Sequence, residues 1–372
     1  MQDMLPAKWS ERSYQQFSQE GYIRNVVAHR AIHMIASCAS SVPWKLYRCQ
    51  ENQKIHIKAH PLLTLLAHPN PYLSGSEYLE QVYSYRLISG NSFQYMAVSK
   101  QKMPIELYAL RPDRVEILIQ TGGLPAGYRY RCGQNVQDMM IDLKTGLSTC
   151  LHWRYFHPLN DWYGLSPIES AAYSIDQHNQ SSEWNQSLLQ NGARPSGALV
   201  VKPMDDGSGG YLTDDQFYRL KNQFEQEYSG SAKAGKPLIL EGGLEWHEMG
   251  YNPKDMDFLE SKHSSAREIA LAFGVPPQLL GIPGDNTYSN LAEARLALWE
   301  QTILPMIDQL TGHLNRWLVR YFEKDLLLGY DSDSISALAP RRDSIWSRLE
   351  KADFLTQNEK REMVGLGIKS GN

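Results

Sequence analysis

The stretch Glu268-Ile-Ala-Leu-Ala-Phe-Gly-Val-Pro-Pro-Gln-Leu-Leu-Gly281 decides how this chain is organised. Its first six residues end a helical run that begins near Pro253. Gly274 and Pro276-Pro277 stop that run, because glycine accepts the left-handed turn at a helix end and proline cannot continue a helix. Next comes Gly281-Ile-Pro-Gly-Asp-Asn-Thr-Tyr-Ser-Asn290, a loop by composition. A long helix then spans about residues 290–322, with an apolar stripe of Ile303, Ile307, Leu310, Leu314 and Trp317. Pro305 lies inside it and predicts a kink.

Working upstream, the pattern predicts strands at Glu245–Glu248, Pro237–Leu240 and Ala198–Val201, with a helix at Thr213–Tyr228. Before them, Ser166-Pro-Ile-Glu169 opens a helix with a serine cap, proline in first position and glutamate three after the cap. Running to about Gln190, that helix spans roughly 36 Å, and Gly192 and Pro195 end it. Two long helices therefore flank a small α/β insert.

Between Asn91 and His157 the pattern is one of short alternating strands: Phe93–Val98, Ile105–Leu110, Val115–Ile119, Tyr128–Arg131 and Leu151–Phe156. Gly122, Gly123, Gly127 and Gly146 punctuate them. Further helices are predicted over 22–41, with Ile23, Val26, Val27, Arg30, Ala31, Met34 and Ile35 on one face, over 60–67, and over Ser76–Ser89 before Gly90. Trp44–Arg48 reads as a strand. The tail carries a helix near Asp343–Phe354 and a short capped one at Thr356-Gln-Asn-Glu359. The class is α+β, and the length fits two or three modules or one large elongated subunit.

Composition excludes several functions. The chain has 372 residues, 42% of them hydrophobic, and a formal charge of −4. That is apolar enough for a core and unlike a disordered chain. No run reaches the roughly 18 apolar residues of a spanning helix, and Met1-Gln-Asp-Met-Leu-Pro6 carries no export signal, so a soluble intracellular protein is expected. Cys38, Cys49, Cys132 and Cys150 lie far apart with no C-x-x-C, so neither a zinc site nor a disulfide framework is expected. The near-neutral balance speaks against gripping nucleic acid by bulk positive charge.

Catalytic motifs fail on inspection. Gly230-Ser-Ala-Lys-Ala-Gly-Lys236 fits the start of a phosphate loop, but Pro237 stands where the magnesium-binding hydroxyl belongs, and a strand follows instead of a helix. His29 and His33 share a helix face without a third ligand. Asp331-Ser-Asp333 lacks the later residues of a calcium loop. No catalytic residue, cofactor or metal is expected, and the alternatives are a nucleotide-binding enzyme using Gly230–Lys236 or an adaptor that forms no ring. Charge placement is more telling. Residues 166–275 hold 16 Asp+Glu against 9 Lys+Arg, a net −7, leaving +3 elsewhere. A region of that sign is either an ordinary solvated surface or one that lies near nucleic acid without holding it, since like charge prevents tight phosphate contacts.

An ordered series of segments resembles the bacteriophage portal proteins of the HK97 type. They are Tyr163-Gly-Leu-Ser-Pro-Ile-Glu-Ser-Ala171, Asn191-Gly-Ala-Arg-Pro-Ser-Gly-Ala-Leu199, Asp257-Phe-Leu-Glu-Ser-Lys262 with Glu268–Gly281, Thr287-Tyr-Ser-Asn-Leu291, Thr302-Ile-Leu-Pro-Met-Ile307 and Leu355-Thr-Gln-Asn-Glu-Lys-Arg-Glu362. The resemblance runs from about residue 20 to 368. It implies a ring, typically of twelve subunits, at one vertex of a phage or phage-like gene-transfer capsid, with double-stranded DNA passing through its centre. On that pattern 1–165 is most of the wing, 166–193 the first stem helix, 194–252 the clip, 253–280 the second stem helix, 281–289 the tunnel loop, 290–322 the kinked wing helix and 323–372 a short crown. The resemblance implies that Gly281, Pro283, Gly284, Asp285, Asn286, Thr287 and Tyr288 face DNA. Lys254, Asp255, Asp257, Glu260 and Lys262 are the stem candidates for the channel lining. Asp205, Asp206, Lys233 and Lys236 are the clip candidates for docking the terminase and the head–tail adaptor. The major capsid protein is the remaining implied partner, and no membrane is. The implied location is the virion's portal vertex, and the bacterial host cytoplasm during assembly.

Overall fold

The computed structural model describes residues 13–50, 53–190, 197–201, 213–228, 244–248, 258–284 and 288–364. The chain divides into two units, one formed by residues 1–175 and 266–372, the other by 176–265.

In the first unit, side chains build the helix starts that the sequence marks. Asn25 Oδ1 accepts from the Val27 and Ala28 amides at 3.1 and 3.0 Å and starts the helix Val26–Ser40. A π-helical turn, Phe17–Ile23, precedes it. The face expected from periodicity is therefore corrected. Ile23 and Val26 are 75% and 69% exposed, and the buried face is Ala28, Ala31, Ile32, Ile35, Ala36 and Ala39. The Asn25 cap restarts the helix, which shifts its phase, and its alanines let the helix Gly75–Ser89 pack closely. That second helix has a full capping box between Ser74 and Glu77 and ends at Gly90 with φ +77°.

Among the described residues, three antiparallel sheets belong to this unit. In the first, β1 (Trp44–Gln50) lies between β2 (Gln53–Ile57) and a late strand, Leu326–Tyr330, with Trp44 opposite Tyr330 and Arg48 opposite Leu326. Lys45 Nζ to Asp331 at 2.7 Å ties off its end. The second joins β3 (Asn91–Val98) to β4 (Pro104–Leu110) and to Cys150–Arg154. The third runs β5 (Val115–Ile119), β6 (Pro125–Cys132), β7 (Asn135–Met140). In chain order Cys150–Arg154 is β8. One core joins the helices to these sheets through Ile32, Leu66, Tyr83, Trp153, Ile307 and Leu314, all at most 2% exposed. A satellite cluster around Phe93, Ile117 and Tyr128 fills the second and third sheets.

The two long helices expected around Ser166 and Pro305 are both interrupted. Ser166 caps a single turn, Pro167–Ser170, Ala171 breaks the ladder, and the helix Ala172–Gln190 follows. Downstream, the helix Tyr288–Leu298 passes into a π-helical turn, Trp299–Ile303, and continues as Leu304–Trp317. Pro305 has no N–H to donate to the carbonyl four residues back, and its ring crowds that carbonyl. The wider turn relieves the crowding.

The described part of the second unit holds a two-stranded antiparallel pair, β9 (Gly197–Val201) with β10 (Leu244–Glu248), Leu244 opposite Val201. Between them in sequence, Thr213 and Gln216 cap the helix Asp214–Tyr228 reciprocally. The helix Phe258–Ala272 leads the chain out, its first residues in this unit and its last in the other. The expected strand 237–240, the loop 230–236 and the start of the helix expected from 253 lie outside the described residues. The final strand, β11, is Leu326–Tyr330, and the tail forms the helices Ala339–Glu350 and Gln357–Met363.

Candidate nucleic-acid interface

The segment Glu268–Gly281 is a chain of local rules. At the end of Phe258–Ala272, the Val275 amide donates to Ala270 O at 2.9 Å and the Gly274 amide to Leu271 O at 3.0 Å. These are the two bonds of a Schellman ending, with Gly274 at φ +65° in the left-handed position. Pro276 then forces Val275 away from helix. Pro277–Leu280 makes one 3₁₀ turn, and Gly281 at φ +73° ends it.

Two contacts fix this connection within its unit. Thr302 Oγ1, on the π-helical turn, donates to Gly274 O at 2.7 Å. Arg267 Nη2 donates to Pro283 O at 2.6 Å, which folds the start of the loop back onto the helix it has just left. Ile282 is buried against Ala266 and Ala270, whereas Gly281, Pro283 and Gly284 are exposed. The entrance of the loop is anchored by one apolar side chain and leaves its backbone open. Of the other expected loop residues, Tyr288 starts the next helix, and Asp285, Asn286 and Thr287 lie outside the described residues.

Among the stem candidates, Glu260 is exposed and Lys262 is partly exposed, both on Phe258–Ala272. Two positions apart on a helix they point about 200° from each other, so they cannot share one face. Burial, with the Lys262 charge, holds the His178 imidazole below its ordinary pKa. Nearby, Ser265 Oγ donates to Gln177 Oε1 at 3.4 Å. Lys262 is thus on the side facing the helix Ala172–Gln190, and Glu260 is on the opposite side. Lys254, Asp255, Asp257, Asp205, Asp206, Lys233 and Lys236 lie outside the described residues.

A second joint, at the start of the other long helix, escaped the sequence reading. Asn91 clamps the Gly164 peptide from both sides: Gly164 N–H donates to its Oδ1 at 2.7 Å, and its Nδ2 donates to Gly164 O at 3.3 Å. His152 Nε2 is 3.0 Å from the same Oδ1. An amide oxygen only accepts, so this ring nitrogen carries the proton. Ser166 Oγ donates to Ile88 O at 2.6 Å while accepting from the Ile168 amide. The backbones of Gly90 and Gly164 meet so closely that a Cβ on Gly164 would stand 2.2 Å from Gly90 O. The signal was present as Gly90-Asn91 and Gly164-Leu-Ser166, but nothing in the order of residues says that they meet. Elsewhere, His33 Nδ1 lies 3.0 Å from Glu80, and His29 Nδ1 lies 3.2 Å from Tyr22 O, as helix-surface histidines do. Among the described residues no three His, Cys, Asp or Glu side chains converge on a metal position, and no helix is long and apolar enough to cross a membrane.

The fold is similar to that of chains in the neck of gene transfer agent particles. A chain in the neck of an empty gene transfer agent (GTA) particle, computed with C6 symmetry, superposes with a TM-score of 0.75 at 39% identity, covering 97% of this chain and 96% of that one. A chain from the native GTA neck, computed with C12 symmetry, gives 0.73 at 38% identity over 97% and 95%. A family model described as "Phage portal protein" matches residues 26–365, and the chain belongs to that family. The portal protein of Enterobacteria phage HK97 is 23% identical over 78% of this chain and 66% of its own length. An uncharacterised protein of Rickettsia bellii is 48% identical over 95% and 90%.

Proposed function

We propose that this chain is one subunit of a twelve-membered ring at a capsid vertex, through which double-stranded DNA enters during packaging and leaves during ejection. Residues 1–165 act as the wing, 166–193 and 253–280 as stem helices, 194–252 as the clip, 281–289 as the tunnel loop, 290–322 as the kinked helix and 323–372 as the crown. The clip docks the terminase and then the head–tail adaptor, and the wing meets the capsid protein. The role is mechanical, with no reaction assigned to any side chain.

The observation that carries this reading is the likeness to GTA neck chains along almost the whole length, at an identity that preserves more than the fold. The loop geometry supports it. A segment held at its entrance by Ile282 and Arg267, with exposed Pro283 and Gly284 beyond, can move against DNA without unfolding either helix. Glu260, on the side of its helix away from Lys262, supports a channel wall that repels phosphate and lets the duplex slide.

Negative-stain imaging of the purified protein tests the ring directly: rings with a central hole are expected, and a homogeneous monomer at high concentration overturns the reading. Shortening 283–288 is expected to leave rings intact and to reduce DNA packaging or retention. Glu260→Lys is expected to raise salt-sensitive DNA affinity, and unchanged affinity removes that side chain from the channel.

A further inference from the structure

A cavity of about 280 Å³ in the first unit is lined by Tyr128, His152, His313, Arg316, Trp317 and Arg320, among others, and by no Asp or Glu. His313, Arg316 and Arg320 follow one another at spacings of three and four, the spacing of a single helical face. Trp317 Nε1 donates to Ser148 O at 2.7 Å and fixes that face against the segment entering β8. Arg316 and Arg320 are exposed at the mouth.

The charge around this cavity is not compensated. Arg86 is 2% exposed, with its guanidinium 3.8 Å from the ring centre of Trp153 and 3.9 Å from that of Tyr155. Arg154 follows on β8. Among the described residues, none of Arg86, Arg154, Arg316 and Arg320 forms an ion pair, whereas Arg48, Arg111, Arg129 and Arg131 each pair with a carboxylate. Burial, then Arg154 and His313, push the His152 pKa down to about 3. Burial, with Arg316 and Arg86, lowers that of His313. Both imidazoles sense a positive field that no nearby acid cancels.

We propose that this cavity is a phosphate-binding site, in which Arg316 and Arg320 take the anion as bidentate donors. A phosphate group brings up to two negative charges and several acceptor oxygens, which suits paired guanidinium forks. A lone carboxylate neutralises only one of the four. The phosphate comes either from solution or from a nucleic-acid backbone.

The test uses the full-length protein, Arg316→Gln/Arg320→Gln, and Arg316→Lys/Arg320→Lys. The probes are inorganic phosphate, sodium chloride at matched ionic strength, and a short duplex. Phosphate is expected to raise the melting temperature of the unaltered protein beyond the chloride control. The Gln pair is expected to weaken phosphate binding about tenfold or more, and the Lys pair, which keeps charge without the fork, to fall between. If the source is nucleic acid, the Gln pair also lowers the log–log salt slope of duplex binding by about 2. An unchanged slope with lost phosphate binding assigns the site to free phosphate. No response to phosphate beyond chloride, with an unchanged slope, overturns the proposal. So does loss of self-assembly alone in the Gln pair, which would give these arginines to an acidic side chain of a second copy.

Discussion

Two glycine contacts within the first unit, one at Gly90–Gly164 and one at Gly274, differ in kind. At Gly90–Gly164, backbone meets backbone: Tyr155 N–H donates to Gly90 O at 2.9 Å, and Asn91 holds Gly164 from both sides. At Gly274, one hydroxyl does the work, since the nearest atom to a Cβ there is Thr302 Oγ1 at 2.7 Å. Backbone contacts have no alternative rotamer and yield only if two chain segments separate. A threonine hydroxyl can rotate away. The first joint is built as a fixed mount, the second as a catch that can open.

The largest expected effect tests the mount. Gly164→Ala drives a methyl into backbone, and a loss of about 3 kcal/mol is expected in urea unfolding. A variant within 1 kcal/mol of the parent would mean that the two backbones can part, which erases the contrast. Gly274→Ala comes next, at about 2 kcal/mol, combining a left-handed φ with a strained Thr302 bond. With Thr302→Ala as partner, the pair is expected to cost about 1 kcal/mol less than the sum of the singles. Strict additivity would deny that the hydroxyl is the catch.

Acid separates the joints differently. Burial keeps His152 neutral down to about pH 3, while the unfolded chain protonates near its ordinary value of about 6.5. The unfolded state thus binds the extra proton. The His152 contribution to stability is complete above about pH 6.5 and is lost as pH falls from there toward 3, by up to about 1.4 kcal/mol per unit. His178 and His313, lowered in the same direction, add to the slope. His152→Gln is expected to flatten it. Hydrogen exchange at the Gly164 amide should rise with acid more than at Val275, whose bonds involve no titrating group. The smallest effect is Arg267→Ala, about 0.5–1 kcal/mol in global stability for one exposed hydrogen bond, with faster exchange confined to 281–284.

Much of this was legible. Gly90, Gly274, Gly281 and Pro276-Pro277 mark ends by local geometry, and Ser166 and Thr356 mark starts by side-chain capping, so the order of residues alone carries them. The strands β2, β7 and Leu326–Tyr330 were missed. The last, the apolar run Leu326–Tyr330 between charged residues, is held by β1, from which it is separated by most of the chain. The phase of the first helix was misjudged because an asparagine cap outranked the apolar period. Of the candidate interface, the start of the loop was readable from Gly281, whereas the next helix begins at Tyr288, inside the expected loop 281–289. The loop's anchors, Arg267, Thr302 and Ile282, gain their roles only from neighbours in space.

The π-helical turn Trp299–Ile303 also sets an angle. Successive helical side chains advance by about 100°, and a π turn inserts one residue into that count. Ile307, Leu310 and Leu314, which lie downstream of that extra step, are buried in the core. Removing one residue from Trp299–Ile303 would leave Pro305 crowding the carbonyl behind it and swing the downstream face by about a quarter turn, carrying the apolar stripe out of register with the core and His313, Arg316 and Arg320 away from β8. One residue of chain length thus acts as an alignment key for everything that follows it.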